Sequence, residues 1–500
     1  MDIKEYIRQN KQLYDILLYY VENDDENQFR LLIDQIKRQN LVQNRAKLRE
    51  FIHLIIKISS NHYRTPMFVI KLKELLLYFS DKIKKNFTNF EIFDLFKINK
   101  LLLLFLIENQ VMKLDDIIIN QIFNVESITF LYFYYPEIKK HLNSDQNEKI
   151  ESKMIQYDQD VFTNFEKKRQ IGENDSYICD LIRNDSVEQF IVYVNRSNIP
   201  LSCKIKQSIF ETNSFLLKNQ PTLIEYSAFF GAIQIFQYLV LNGIELNHSI
   251  ILYAIHSNNH DLIHLIQEYY TNTDQNYYEK CLKEAIKCHH NDVANYFQNN
   301  FLNEEIGNKY DANVINYSCH YYNYSFFPND ISHKFIFYYS CKYDYYTIVD
   351  FIIKNHKLND YSKKVNISPL YLAAKGNNID IINLLQLNCG IKNLYHLFEG
   401  CSKLTEITIL RNIKSIGEKA FFGCVSLHHI KIPSTIIAIG KKAFEGCISL
   451  VNITIPCLVN TIGDRAFAEC KSLKDVIIPS SIKTGENVFL NCPLVEIHWC

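Results

Sequence analysis

The chain has 500 residues, of which 47% are hydrophobic and 22% are charged. This composition is ordinary for a folded protein and excludes bulk disorder, while the length exceeds what one hydrophobic core usually serves. The 54 basic and 55 acidic residues nearly cancel, so no global field attracts nucleic acid or an anionic membrane. We therefore expect several domains or a repeat array, and partners that are selected by shape.

The N-terminal part of the chain predicts successive amphipathic helices. Apolar residues recur with helical spacing over Tyr6 to Val21, Phe29 to Ile36, Arg45 to Ser59 and Phe68 to Phe79. Charges scattered through the first dozen residues argue against a cleaved signal, and the longest apolar run, Leu101 to Ile107, is too short for a membrane span. We expect residues 1–170 to be a helical domain that caps a following array.

A looser repeat occupies the middle of the chain. Its clearest copy runs from Ser368 to Leu385 and begins "SPLYLAA", with Ser368 as a helix cap and Pro369 in the first turn. The same helix–turn–helix cadence recurs at Leu181 to Ile191, Tyr226 to Leu239, Tyr253 to Ile266, Ala285 to Tyr296 and Ser340 to Ile352. Asn308 to Asn329 predicts either another unit or a long loop.

These units resemble degenerate ankyrin repeats, in which "TPLHxAA" is the familiar opening and about 33 residues is the ideal period. Residues 1 to about 395 are also similar to a family of protozoan proteins in which an uncharacterised helical domain precedes ankyrin repeats. The stretches "LIEYSAFFGAIQIFQYL" and "EAIKCHHNDVANY" carry that similarity. The resemblance implies degenerate ankyrin repeats over residues 171–395 and supplies no catalytic residue.

The tail contains a strict repeat. Cys401, Cys424, Cys447, Cys470 and Cys492 are separated by 23, 23, 23 and 22 residues, and their flanks repeat with them. Each cysteine is followed by an apolar strand template, which for the first three is Leu404, Ile407, Ile409; Leu427, Ile430, Ile432; and Leu450, Ile453, Ile455. The fourth and fifth templates are Leu473, Val476, Ile478 and Leu494, Ile497, Trp499, and all of them are expected to point inward.

Other positions of the repeat predict how each coil turns. Pro433, Pro456 and Pro479 are expected to stop the strands. Ile416-Gly417 and its equivalents predict a return bend at which glycine takes positive φ. Ala420-Phe421 and its equivalents predict a short helical or 3₁₀ segment that closes the coil. The strands are then expected to stack as a short parallel sheet.

The residues between the inward positions predict an exposed, polar strand face, which we take as the candidate protein-binding site. Its members are Glu406, Thr408, His429, Lys431, Asn452, Thr454, Asp475, Glu496 and His498. Five equivalent cysteines cannot all pair, and a zinc site needs ligands that converge on a point, so the cysteine ladder favours core packing over disulfides or metal.

The pattern "IxxIGxxAFxxCxxLxxIxIP" resembles the BspA-like leucine-rich repeat and covers roughly Leu397 to Cys500. The resemblance implies a right-handed leucine-rich-repeat solenoid over residues 396–500. Some members of this class are surface proteins that adhere to host cells or matrix, so an adhesin that reaches the cell surface or is secreted by a non-standard route is the alternative to a cytoplasmic protein.

Motifs for catalysis are absent from the sequence. It contains no Gly-x-Gly-x-x-Gly, no phosphate-binding loop, no Gly-x-Ser-x-Gly elbow and no His-Glu-x-x-His helix. The nearest cluster is Cys281, Cys288, His289 and His290, for which a structural role is favoured over a metal site or a nucleophile. We expect no enzyme activity, no catalytic residue, no cofactor and no metal. The sequence favours a cytoplasmic adaptor built from repeats that binds a protein, with no nucleic-acid partner and no membrane span.

Overall fold

The computed structural model describes residues 3–62, 65–124, 128–269, 274–302, 307–327, 334–355, 369–388 and 394–499. Ser368, the expected cap of the clearest middle repeat, lies outside the described residues, as do Asn393 and Cys500. The chain divides into one unit over Arg8–Phe327 and another that comprises Met1–Ile7 and Pro328–Cys500. Each unit is described by itself.

The first unit is helical. Its N-terminal helices, of which the first begins at Ile3 within the segment Met1–Ile7 that is assigned to the other unit, are α1 (Ile3–Glu22), α2 (Glu26–Arg38), α3 (Arg45–Asn61), α4 (Pro66–Asn86), α5 (Asn89–Phe96), α6 (Lys100–Glu108), α7 (Asp116–Asn124), α8 (Ile128–Phe133), α9 (Tyr135–Ile138), α10 (Ser144–Tyr157) and α11 (Phe165–Ile171). Local signals mark several starts: Thr88 and Glu91 form a reciprocal capping box at α5, and Thr65 caps α4 ahead of Pro66. All four helices predicted from the periodicity are present, with longer bounds.

Helix pairs follow. Their members are α12 (Tyr177–Arg183) with α13 (Val187–Arg196), α15 (Leu223–Phe230) with α16 (Ile233–Leu241), α17 (Ile250–Ser257) with α18 (His260–Tyr269), and α19 (Gln275–Cys288) with α20 (Asn291–Phe301), while α14 (Ser214–Asn219) stands between the first two pairs. Helices α15, α17 and α19 pack side by side, and the pairs share one hydrophobic core. The stretch expected to be a unit or a loop forms one helix, α21 (Gly307–Tyr321), followed by a 3₁₀ turn.

The turn inside each helix pair uses the same backbone device. A residue with positive φ ends the first helix, and these residues are Asp185, Gly231, Asn258 and His289 in the first unit and Asp344 and Asn377 in the second. Gly, Asn and Asp are the residues that adopt this conformation at least expense, so the repeated use of them explains the recurrent cadence. His289 is the exception and occupies the same turn position.

The second unit begins with two more helix pairs. They are α22 (Lys334–Lys342) with α23 (Tyr346–Asn355), and α24 (Pro369–Lys375) with α25 (Ile379–Asn388). The strands that follow are β1 (Glu406–Thr408), β2 (Ser415–Ile416), β3 (His429–Lys431), β4 (Ala438–Ile439), β5 (Asn452–Thr454), β6 (Thr461–Ile462), β7 (Asp475–Ile478), β8 (Lys483–Thr484) and β9 (Glu496–Trp499). All paired strands are parallel, which confirms the predicted coil architecture.

Two faces of each coil carry strands, where the sequence predicted one. The longer strands pair as β1–β3 and β5–β7–β9, and the two-residue strands form a second sheet, β2–β4–β6–β8. The second sheet lies where the Ile-Gly dipeptides stand, so the prediction of a bend with positive φ at those glycines is wrong. Gly417, Gly440 and Gly463 have ordinary φ values.

The glycines of the second sheet are required by the close approach of successive coils. A Cβ built on Gly440 lies 2.6 Å from the backbone carbon of Gly417 and from the amide nitrogen of Glu418. Gly463 meets the backbone of Lys441 at 2.4 Å in the same way. A residue with a side chain therefore has no space here, whatever its φ.

The segment after each Ile-Gly dipeptide consists of turns and contains no helix, which corrects the expectation of a closing helical segment. The backbone N–H of Phe421 donates to the Ala443 carbonyl of the next coil at 2.7 Å, and Phe444 donates likewise to Ala466. Because these N–H groups bond between coils, they are not free to form a helix within one coil.

The last helix pair is hydrogen-bonded directly to the first coil. The Gln386 side chain accepts from the Leu410 N–H at 3.2 Å and donates to the Thr408 carbonyl at 3.3 Å, and Asn377 bonds to Thr405. The outer edge of a first coil would otherwise leave backbone groups without partners. Gln386 is fully buried and supplies partners to this edge.

Candidate protein-binding face

The polar strand face predicted from the repeat is exposed in the structure. Alternate residues of β1, β3 and β5 follow an exposed–buried–exposed pattern, because Ile407, Ile430 and Ile453 point into the coil. Every predicted member of the face is exposed: Glu406, Thr408, His429, Lys431, Asn452, Thr454, Asp475, Glu496 and His498. The structure therefore brings these side chains to one side of the coils.

Strand register arranges the face in two columns. In the first ladder, Glu406 is level with His429, and Thr408 with Lys431. In the second, one column holds Asn452, Asp475 and Glu496, and the other holds Thr454, Ile477 and His498. No strand pairing joins β3 to β5 among the described residues, so the face consists of two ladders rather than one continuous sheet.

Four apolar residues on or beside this face were not predicted to be exposed. Ile477 is 38% exposed and stands between Thr454 and His498, and it was not among the predicted members of the face. Leu494, Ile497 and Trp499 were predicted to point inward, but they are 51%, 38% and 60% exposed. Strand β9 has a neighbour on one side only among the described residues, so nothing in that part of the chain covers them. The face thus combines polar residues with an apolar end.

Charged groups meet at the same end. The Nε2 atom of His498 lies 3.5 Å from Asp475 Oδ1, and Asp475, Glu496 and His498 each offer a ligand-type atom within 4.8 Å of the others. All three side chains are exposed, so solvent screens their charges and weakens the binding of any ion between them. These three side chains belong to the exposed strand face.

The cysteine and phenylalanine ladders support the face from inside. Four of the five thiols donate to a phenylalanine carbonyl of the preceding coil, as in Cys424 to Phe398 at 3.1 Å and Cys447 to Phe421 at 3.2 Å. Burial raises the pKa of Cys401 and of Cys447 to about 12. The ladder cysteines are all free and buried, in agreement with a packing role. Phe398, Phe421, Phe444, Phe467 and Phe489 stack with centroids 4.9–5.6 Å apart.

The structure does not bring the four residues of the predicted Cys–His cluster together as one ligand set. Cys281 and Cys288 are buried on α19, His289 is the turn residue and lies 3.2 Å from the Tyr14 hydroxyl, and His290 bonds through Nδ1 to the Ile255 carbonyl. Cys288 instead meets His256 and Glu284. His256 was missed because it is 32 positions before Cys288 and belongs to the preceding helix pair. Glu284 was missed although its spacing of four residues from Cys288 places both on one helix face.

The described part of the chain contains no helix with both the length and the hydropathy that a membrane span requires.

Comparison with known proteins identifies the tail. The family described as "BspA type Leucine rich repeat region" matches residues 394–500 in six copies. No curated protein matches the chain. A leucine rich repeat protein of T. pallidum is 32% identical over 21% of this chain and 51% of its own, with a TM-score of 0.21.

Two further solved structures each match 22% of the chain. A leucine rich cell surface protein from Faecalibacterium prausnitzii is 36% identical over 22% of this chain and 30% of its own, with a TM-score of 0.21. A leucine-rich repeat protein from Bacteroides ovatus is 28% identical over 22% and 43%, with a TM-score of 0.18. The chain thus spans about half or less of these proteins. Residues 394–500 are a BspA-type leucine rich repeat region, joined here to a largely helical N-terminal part.

Proposed function

We propose that the chain is a non-enzymatic adaptor in the cytoplasm, and that it binds a protein partner through the exposed strand face of residues 394–500. The observation that carries the proposal is the exposure of all nine predicted residues in registered columns. A rigid array of short parallel strands holds such side chains in fixed positions, so little conformational freedom is lost when a partner binds.

The composition of the face favours a protein over other ligands. Its second ladder combines hydrogen-bonding groups at Asn452 and Thr454 with charges at Asp475 and Glu496 and an apolar contact at Ile477. Exposed apolar residues surrounded by polar ones are typical of protein interfaces, whereas nucleic acid requires a basic stripe. Lys431 is the one lysine among the predicted face residues.

We further propose that the helix pairs from α12 to α25 are degenerate ankyrin repeats. Paired short helices, a positive-φ turn residue in each pair and side-by-side packing of the first helices support this assignment. In this proposal the helical part is a second binding scaffold, and the two repeat systems bring different partners together.

Affinity capture with matched variants tests the strand face. The test variant carries Thr454→Arg and Ile477→Asp on the face, and the control carries Thr461→Arg and Lys483→Asp on the exposed side of the second sheet. We expect partners that bind the wild-type chain and the control to be lost from the test variant. Equal capture by both variants would contradict the proposal.

Labelling of intact cells with an impermeant reagent separates the adaptor from the adhesin alternative, because an adaptor in the cytoplasm stays unlabelled.

A further inference from the structure

A buried cluster of three ligand-type side chains lies between α17 and α19. The His256 Nε2 atom is 2.8 Å from Glu284 Oε1, and its Nδ1 atom is 3.4 Å from Cys288 Sγ. One ligand atom from each of the three residues lies within 4.8 Å of the others. His256 is 3% exposed and Cys288 is fully buried.

Two rigid elements hold this cluster. Glu284 and Cys288 are four residues apart on α19 and therefore share a face of that helix. His256 is near the end of α17, which packs directly against α19. A ligand set on two packed helices is better fixed than one on loops, because each side chain is held by its helix.

The order Cys288–His256–Glu284 resembles a thiol nucleophile with a base and an orienting carboxylate, but the environment opposes that chemistry. Burial raises the pKa of Cys288 well above its usual range, and burial lowers the pKa of His256. Proton transfer from thiol to imidazole is therefore unfavourable. A buried thiol also offers no approach for a substrate.

We propose that His256, Glu284 and Cys288 bind one Zn²⁺ ion. Imidazole nitrogen, thiolate sulfur and carboxylate oxygen together form a ligand set that suits zinc. The ion takes up the Cys288 sulfur as thiolate, and the displaced proton leaves to solvent. Tetrahedral zinc with ordinary bond lengths needs ligand atoms roughly 3.3–3.8 Å apart. One imidazole gives one nitrogen to the ion, and that nitrogen is Nδ1, which lies 3.4 Å from the Cys288 sulfur, so the Glu284 carboxylate turns from Nε2 toward the ion on binding.

A neighbouring lysine competes with the ion. Lys287 Nζ is 2.5 Å from Glu284 Oε1, the oxygen that also faces His256. The Lys287 ammonium group therefore forms an ion pair with the Glu284 carboxylate in the absence of metal. It must move away when the ion binds. His256 also lines a small cavity beside Glu173 and Glu211, which has room for a water ligand.

Cobalt titration of the full chain tests the proposal. After removal of metal with a chelator, Co²⁺ is added and thiolate-to-cobalt charge-transfer absorption is recorded, and Zn²⁺ is then added to displace it. We expect one Co²⁺ per chain with this absorption band. Cys288→Ser abolishes the band, whereas the matched control Cys281→Ser, also buried on α19, retains it.

Charge variants give a second readout that does not depend on the thiol variant folding. Glu284→Gln removes a ligand and is expected to weaken Co²⁺ binding by about tenfold or more, whereas Lys287→Gln removes the competitor and strengthens it. Zn²⁺ is expected to raise the melting temperature of the wild-type chain and of Cys281→Ser. The proposal is overturned by a wild-type chain that shows no thiolate band, by a band that depends on Cys281, or by affinity that Glu284→Gln and Lys287→Gln do not shift in opposite directions.

Discussion

Replacing Gly440 with alanine is expected to destabilise the solenoid strongly, because the new methyl group has no space between coils. Its carbon would lie 2.6 Å from two backbone atoms of the preceding coil, whereas ordinary contact begins near 3.4 Å. The coils must separate by about 0.8 Å, which stretches the 2.8 Å hydrogen bond from Gly440 N–H to the Ile416 carbonyl beyond bonding distance.

The magnitude follows from those two effects. Leaving a buried donor and a buried acceptor without partners costs about 1–3 kcal/mol for each group, and overpacking adds a similar amount. We expect the free energy of unfolding to fall by about 3 kcal/mol or more. Gly423→Ala is the matched control: nothing lies within 4 Å of its added carbon, and its φ of +69° costs about 1–2 kcal/mol.

Asparagine separates the two causes. Because asparagine tolerates positive φ, Gly423→Asn is expected to be milder than Gly423→Ala, whereas Gly440→Asn is at least as damaging as Gly440→Ala. Guanidinium unfolding followed by the fluorescence of Trp499, the one tryptophan of the chain and part of β9, measures each change. A larger loss at Gly423 than at Gly440 would refute the close-approach argument.

Three further predictions concern the interior. Phe444→Ala removes a fully buried ring that stacks at 5.1 Å on both sides, and it is expected to lower the free energy of unfolding by about 4 kcal/mol. Phe489→Ala removes a half-buried ring and is expected to lower it by about 2 kcal/mol. Equal losses in the same unfolding assay would count against the stacked core. Burial opposes ionisation of Glu284, but its bond to His256 and the charge of Lys287 outweigh it and lower its pKa to about 2. The ionised form therefore stabilises the fold above the unfolded-state pKa, near 4.5, and that stabilisation is lost as pH falls toward 2. Glu284→Gln should flatten the curve of unfolding free energy against pH in this range. An unchanged curve would contradict the lowered pKa of Glu284. Iodoacetamide should modify the exposed Cys457 in the native chain, while Cys401, Cys424, Cys447 and Cys470 stay unmodified until the chain unfolds. Mass spectrometry that finds these four modified in the native chain would contradict their burial.

The solenoid was predictable from the sequence because one coil repeats every 23 residues or nearly so. That period sets which residues stack, and alternation then assigns Ile407 to the inside and Glu406 to the surface. The role predicted for the Ile-Gly dipeptides was wrong, because a repeated glycine has two possible causes. It can provide a positive φ or leave space for a neighbouring backbone, and the sequence does not distinguish them. Ile477 was left out of the predicted face because only polar residues were taken as its members, although alternation with Val476 and Ile478 places it outward.

Contacts between separate helices could not be predicted in the same way. The cadence of Tyr226 to Leu239 and its equivalents predicted helix pairs, since apolar spacing is local. The contacts of His256 with Glu284 and Cys288 depend instead on how α17 packs against α19. No periodic pattern in the sequence shows which residues of two separate helices touch. The bond between Gln386 and the first coil is hidden for the same reason.

The proposed binding face is tested most directly by site-specific photocrosslinking of the full chain in its native cells. A photoreactive residue replaces Thr454 on the face or, as the control, Thr461 on the second sheet; both positions are exposed. The proposal predicts a discrete protein adduct from position 454 that disappears when Ile477→Asp is added, and none from position 461. Adducts of equal yield at both positions, or none at position 454, would contradict it.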